Sequence, residues 1–187
     1  MVGALKPVAV VHGGESAAIQ QLLAAFFANW QQRTRIVGVI EDPLGDISRP
    51  DSGGRARGQL RNLAGGRSFP IFQNLGPGST GCALDGPSLV EAGEQVRSDI
   101  AKGCDLVVLS KFGKFEAESR SGLLPAFVDA IEAGAMVLTS VAPRFMVAWD
   151  KFADPFYVVI PAERAAIEAW WTRAFAYRLK TIDNGGI

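Results

Sequence analysis

One histidine and two cysteines in 187 residues leave little material for a metal centre or a disulfide framework. His12 has no cysteine or second histidine near it in sequence, and Cys82 and Cys104 do not have metal-ligand spacing. A chain this long has a core of its own and needs no bridge, so reduced thiols and a cytoplasmic setting are expected. Met1 to Lys6 carries one basic residue ahead of a short apolar stretch, far below the ~20 residues needed to cross a bilayer, so no membrane partner is expected. There is no excess of either charge: 19 basic and 19 acidic residues give a formal net charge of +0, which argues against a general nucleic-acid binder. No lysine occurs between Lys6 and Lys102, and no acidic residue between Ser52 and Leu84. What remains, 48% hydrophobic and 20% charged residues, is the composition of one globular α/β domain spanning 1–187.

Five short β-branched runs are nearly continuous rather than alternating, as strands buried on both faces should be: Val8 to His12, Ile36 to Ile40, Leu106 to Ser110, Met136 to Val141 and Phe156 to Ile160. Between the first two, Ile19, Leu22, Leu23, Phe26, Phe27 and Trp30 follow the spacing of one helix face, with Ser16 where an N-cap belongs. Further helical spacing joins Leu89, Gly93, Val96 and Ile100, then Leu123, Leu124, Phe127, Val128 and Ile131. A shorter helix is expected at Phe145, Met146 and Trp149, and a last one along Ile167, Trp170, Trp171, Ala174 and Arg178, before a frayed Asn184-Gly185-Gly186. The alternation predicts a doubly wound, mainly parallel five-stranded sheet of α/β class. Glu41 to Gly86 breaks the rhythm with ten of the chain's 21 glycines. A Gly/Arg-rich hairpin insertion is expected there, Gln59–Leu63 pairing with Phe69–Gln73 across Ala64–Ser68, lying over the ligand edge of the sheet.

Ligands of such sheets bind outside the carboxyl ends of the strands. After the first strand comes His12-Gly13-Gly14-Glu15-Ser16, which lacks the Gly-Lys-Ser/Thr of a phosphate-binding loop and places Glu15 where it repels phosphate. Gly13, Gly14 and Ser16 remain candidates for backbone contact with an anion; the plain alternative is a tight turn capping a helix. His12 reads as a structural histidine rather than a general base, since no nucleophile is tied to it locally. The acid-free window holds Arg55, Arg57, Arg61 and Arg67 and ends in Gly76-Pro77-Gly78-Ser79-Thr80-Gly81-Cys82. Successive amides at Ser79, Thr80, Gly81 and Cys82 can form an anion nest, with Arg57 and Arg61 as guanidinium partners; a solvated hairpin is the alternative. The third strand runs into Ser110-Lys111-Phe112-Gly113-Lys114-Phe115-Glu116-Ala117-Glu118-Ser119-Arg120, which places Lys111, Gly113, Lys114 and Arg120 where this class of fold keeps its site.

Through Gly81-Cys82-Ala83-Leu84-Asp85, Lys111 to Glu118, Arg120 and Val137-Leu138-Thr139-Ser140-Val141, the C-terminal two-thirds resembles the bacterial family called domain of unknown function 2478. Gly113-Lys114-Phe115-Glu116 after an apolar strand also resembles the acidic metal-binding segment of thermophile-type nucleoside-triphosphatases, of the P-loop class. The resemblance implies a P-loop-like fold. Because members lie near molybdate-transport genes, it also implies a part in molybdenum or oxyanion handling. Ser110 and Lys111 stand where those hydrolases carry an Asp-Glu pair, so the usual Mg²⁺ ligand and water-activating carboxylate are both missing.

The expectation is a protein that binds a small anionic ligand, a nucleotide or a molybdate-like oxyanion, with no metal site. An enzyme is the alternative, a Mg²⁺-dependent NTPase or phosphotransferase with Glu116 and Lys111 as catalytic groups, in which Glu116, Glu118 or Asp85 replaces the missing acids, Lys111 the missing lysine, and Glu15 is a metal ligand. A protein-interaction module docking through the charged loop or the Trp170-Trp171 helix is the third reading. The sequence leaves homo-oligomer formation open.

Overall fold

In the computed structural model, residues 5–42, 58–72 and 84–184 are described, with side chains to residue 180. Seven strands form one mixed sheet: β1 (Val8–His12), β2 (Ile36–Asp42), β3 (Gln59–Asn62), β4 (Ser68–Pro70), β5 (Leu106–Phe112), β6 (Met136–Val141) and β7 (Tyr157–Pro161). Their order is β4-β3-β2-β5-β6-β1-β7. The five β-branched runs are mutually parallel, with Val10 of β1 between Thr139 of β6 and Val159 of β7, and Val37 of β2 beside Val107 of β5. Continuous apolar sequence is what a strand buried on both faces requires: Val8 to Val11 and Leu106 to Leu109 are all completely buried.

Three details of the sequence expectation need correction. The sheet has seven strands rather than five, because β3 and β4 join it as antiparallel edge strands. The 59–70 hairpin therefore lies in the plane of the sheet instead of over its ligand edge; its turn falls at the amino end of β2, since Asn62 pairs with Val39 and Gln59 with Asp42. β4 ends at Pro70, which a sheet edge tolerates, and one further bond runs from Ile71 N–H to the Gly58 carbonyl. The last strand is likewise shifted by one residue, to Tyr157–Pro161.

Helices α1 (Ser16–Trp30), α2 (Gly86–Ala101), α3 (Lys114–Ser119), α4 (Leu124–Glu132), α5 (Met146–Ala153) and α6 (Arg164–Asn184) cover the sheet. α1 and α6 build one core layer around Leu23, Phe26, Trp170 and Trp171. α2, α4 and α5 build the other around Val96, Phe127 and Trp149. Trp170 and Trp171 are thus core residues, 1% and 0% exposed, and offer no docking face. Val128 is the exception to its helical pattern and is exposed, while Asn184 closes α6 rather than beginning a tail.

Gly38 is the tightest point of the sheet. Its φ of +121° is closed to side-chain-bearing residues, and a Cβ would lie 1.9 Å from the Val108 carbonyl oxygen on β5. Gly38→Ala is expected to cost at least about 3 kcal/mol, strain and clash together. Urea unfolding checks this: the midpoint should fall with the slope unchanged.

Candidate functional site

The carboxyl ends of β2, β5 and β6 are joined through two buried side chains, Gln20 and Ser140. Gln20, one turn into α1 and 2% exposed, donates from Nε2 to the Ser110 carbonyl (3.0 Å). Its Oε1 accepts from the Glu41 N–H (3.1 Å) and the Ser110 hydroxyl (3.2 Å). Ser140 on β6 donates its hydroxyl to the same Ser110 carbonyl (2.9 Å). Sequence reasoning passed over Gln20 and Ser140; the available signal was a glutamine amid the apolar face of α1, since a buried amide needs partners.

Beyond that network, β5 projects Lys111, whose ammonium pairs with Glu41 of β2 at 3.3 Å, the two side chains 37% and 19% exposed. Lys111 lines a cleft of about 110 Å³ with Lys114, Phe115 and Glu116 on one side and Leu60, Ile71 and Leu84 on the other. Phe72 and Leu84, which form an isolated antiparallel bridge, also line it.

β5 does not run into a loop. Phe112 is its last residue, and Lys114 to Ser119 form α3, stopped by Arg120 in the left-handed conformation with φ 50°. Glu116, 6% exposed, holds this corner. Its Oε2 accepts from Gly113 N–H (2.9 Å) and its Oε1 from Leu123 N–H (3.2 Å). Burial pushes its carboxyl above the ordinary value of 4.5, against the opposing pull of those N–H donors and of Lys111. Both oxygens are committed to backbone, and Asp85 is committed likewise: its Oδ1 accepts from Ser88 N–H and caps α2. Glu118 is exposed and lies 3.9 Å from Lys114, itself exposed. Arg120 is exposed.

The candidates do not all converge. Gly13 (φ +91°), Gly14 and Ser16 lie together and exposed at the end of β1, but they do not line the Lys111 cleft. Ser16 is the first residue of α1 rather than its cap; the N-cap is Glu15, whose side chain accepts no capping bond. Only three residues separate β1 from α1, too few for a loop that wraps a phosphate chain. His12 is half-buried, and its carbonyl accepts from Ala162 N–H. Arg61 lies over the Phe27 ring on the α1 face, and Arg67 sits in the distant β3–β4 turn, paired with Glu91. Arg55, Arg57, Ser79, Thr80, Gly81 and Cys82 lie outside the described residues. Cys104 is a free thiol that burial pushes above its ordinary value. Among the described residues, no group of three potential metal ligands comes together and no helix is long and apolar enough to cross a membrane.

The model of the family described as protein of unknown function (DUF2478) matches residues 8–170. A curated relative, the molybdenum import ATP-binding protein ModC 2 of Bradyrhizobium diazoefficiens, is 39% identical over 137 residues, 73% of this chain. The match spans only 15% of that relative's length. The crystal structure of THEP1 from the hyperthermophile Aquifex aeolicus superposes with a TM-score of 0.51 over 83% of this chain and 87% of that one, at 10% identity. The chain therefore shares its α/β fold, a mixed sheet covered by helices, with THEP1.

Glu116→Ala leaves two buried N–H groups without an acceptor and is expected to cost about 2–5 kcal/mol. The raised carboxyl adds a pH dependence. The folded state keeps its proton where the unfolded state has released it, so stability falls as pH rises from 4.5 through the folded value. Subtracting the stability of Glu116→Gln from that of the wild type, by urea unfolding at several pH values, should isolate this fall; a flat difference would contradict it.

Proposed function

Because the chain belongs to the DUF2478 family, we propose that it binds a tetrahedral oxyanion, such as molybdate, at the carboxyl edge of a P-loop-type scaffold. The observation that carries this reading is the Lys111 ammonium, set at the end of β5 in a small cleft and engaged by Glu41. A volume of about 110 Å³ is on the scale of an inorganic anion; sites for drug-sized ligands run to about 300–1,000 Å³. A dianion would displace the Glu41 carboxylate and take up the lysine charge, with Lys114 at the rim. The ModC 2 relative, named for molybdenum import, favours molybdate among tetrahedral anions. The short β1–α1 loop and the use of Glu116 and Asp85 as caps weigh against the hydrolase alternative, which needs a phosphate cradle and free carboxylates. We place the protein in the cytoplasm as an accessory of oxyanion handling.

Thermal-shift titration with molybdate, tungstate, sulfate, phosphate, ATP and GTP, with and without Mg²⁺, tests the reading. Molybdate or tungstate is expected to raise Tm without metal, by several degrees at saturation, since a ligand at a hundred times its Kd adds about 2.7 kcal/mol. Lys111→Ala should weaken binding at least about tenfold, the worth of one charge-assisted hydrogen bond, whereas Glu41→Gln, which removes the competitor, should tighten it. Identical curves for wild type and Lys111→Ala overturn the proposal. A shift seen only with nucleotide and Mg²⁺ transfers it to the NTPase reading.

A further inference from the structure

A second and larger cavity, of about 580 Å³, opens at the amino edge of the sheet and shares no lining residue with the Lys111 cleft. Its origin is a mismatch of strand lengths. β2 begins at Ile36, but its antiparallel partner β3 pairs only from Val39 onward, with one further bond from Leu63 N–H to the Gly38 carbonyl. Ile36 and Val37 thus have a strand neighbour only on the β5 side among the described residues, and the missing stretch of β3 leaves a notch in the sheet. The last turns of α1 and α2 wall it, with Phe27 and Gln31 from one and Gln95 and Asp99 from the other.

The notch is polar at its mouth and apolar at its wall. Arg35, Arg67 and Lys102 line it with Asp99; Arg67 is paired with Glu91 and Lys102 with Asp99, which leaves the Arg35 guanidinium as the charge at the mouth without an ion-pair partner among the described residues. Asp99 is 5% exposed and already satisfied: it accepts from Asn62 Nδ2 (3.0 Å), Gln95 Nε2 (3.2 Å) and Lys102 Nζ (3.1 Å). Burial opposes its charge, yet these donors hold its carboxyl below the usual range. Lys102, 58% exposed, keeps donors to spare. The Arg35 guanidinium makes no hydrogen bond or ion pair among the described residues, because Asp105 takes the Arg35 backbone N–H instead. Thr34 is 5% exposed and its hydroxyl has no partner, although a buried polar group ordinarily finds one. Phe27, Ile36 and Leu63 supply the apolar surface.

We propose that this notch is a second ligand site, taking a small organic anion whose carboxylate or phosphate head lies between Arg35 and Lys102 and whose apolar body rests on Phe27, Ile36 and Leu63. Its volume falls in the range of small-molecule sites, and its few polar groups beside an apolar wall are the usual means of fixing a ligand's orientation. Being at the opposite edge of the sheet, it stands or falls independently of the oxyanion reading.

Titration of the ¹⁵N-labelled chain with phenyl phosphate and with benzoate, using phenol as the uncharged control, tests it by amide chemical shift. Saturable shifts are expected at Val37, Leu63 and Gly65 with the anions and not with phenol, undiminished in Lys111→Ala. Arg35→Ala, which removes an exposed side chain without touching the Asp99 network, should weaken binding at least about tenfold; Lys102→Ala should do the same. Tighter binding of phenyl phosphate identifies a phosphate head, and tighter binding of benzoate a carboxylate. No shift at these amides at about 10 mM probe, ten times a millimolar Kd, or unchanged affinity in Arg35→Ala, overturns the proposal.

Discussion

Gln20 ties α1 to two adjacent parallel strands through three hydrogen bonds, and the position of everything at the carboxyl edge follows from them. A buried primary amide with unmet partners would cost more than it contributes, so its three bonds fix the height of α1 against β2 and β5 together. Ser140 extends the tie to β6 through the same Ser110 carbonyl. Glu41 and Lys111 are neighbours in sequence of groups within this network, and their side chains meet because the backbone beneath them is pinned. The ion pair is partly exposed and contributes little to stability by itself. Its importance is positional, since it holds an ammonium group at a strand end where the fold class gathers ligands.

β1, β2, β5 and β6 were legible because burial on both faces writes itself as uninterrupted Val, Ile and Leu, whereas β7, expected to be buried likewise, is a half-exposed edge strand with Val159 facing solvent. The helices packed on the sheet were legible from the spacing of Leu23, Phe26 and Phe27, or of Leu89, Val96 and Ile100. α3 was not. Its six residues, Lys114 to Ser119, include one buried side chain, and that one is the charged Glu116, so neither apolar periodicity nor composition marks it. β3 and β4 were misjudged in placement for a related reason: Leu60 and Phe69 identify a paired strand but not which strand of a larger sheet it joins. The candidate site was legible by position along β5 and no further. Which cation meets which carboxylate depends on the neighbour of β5, and that neighbour, β2, comes from a segment far away in sequence.

Arginine placement separates two kinds of charge that look alike in the sequence. Arg61 lies on an aromatic ring inside the α1 layer, and Arg67 lies over Phe69 at the opposite edge of the sheet. Arg61 thus contributes to packing and Arg67 to the lining of the amino-edge notch. Among the described residues of 52–84, strand β3 and its turn send these two arginines to different places.

The acids of the carboxyl edge divide in the opposite sense. Asp85 begins α2 and Glu116 begins α3, each accepting a backbone N–H that the first turn of a helix leaves without an intrahelical partner. Glu116 has both oxygens engaged by backbone N–H groups, whereas Asp85 uses only Oδ1 for its cap. Among the described residues Lys111 pairs with Glu41, whose backbone N–H is anchored to Gln20. The edge thus keeps its negative groups for structure and leaves a positive one at the cleft. At the cleft itself the balance is local: one ammonium, Lys111, faces one carboxylate, Glu41, in a pocket otherwise lined largely by apolar side chains.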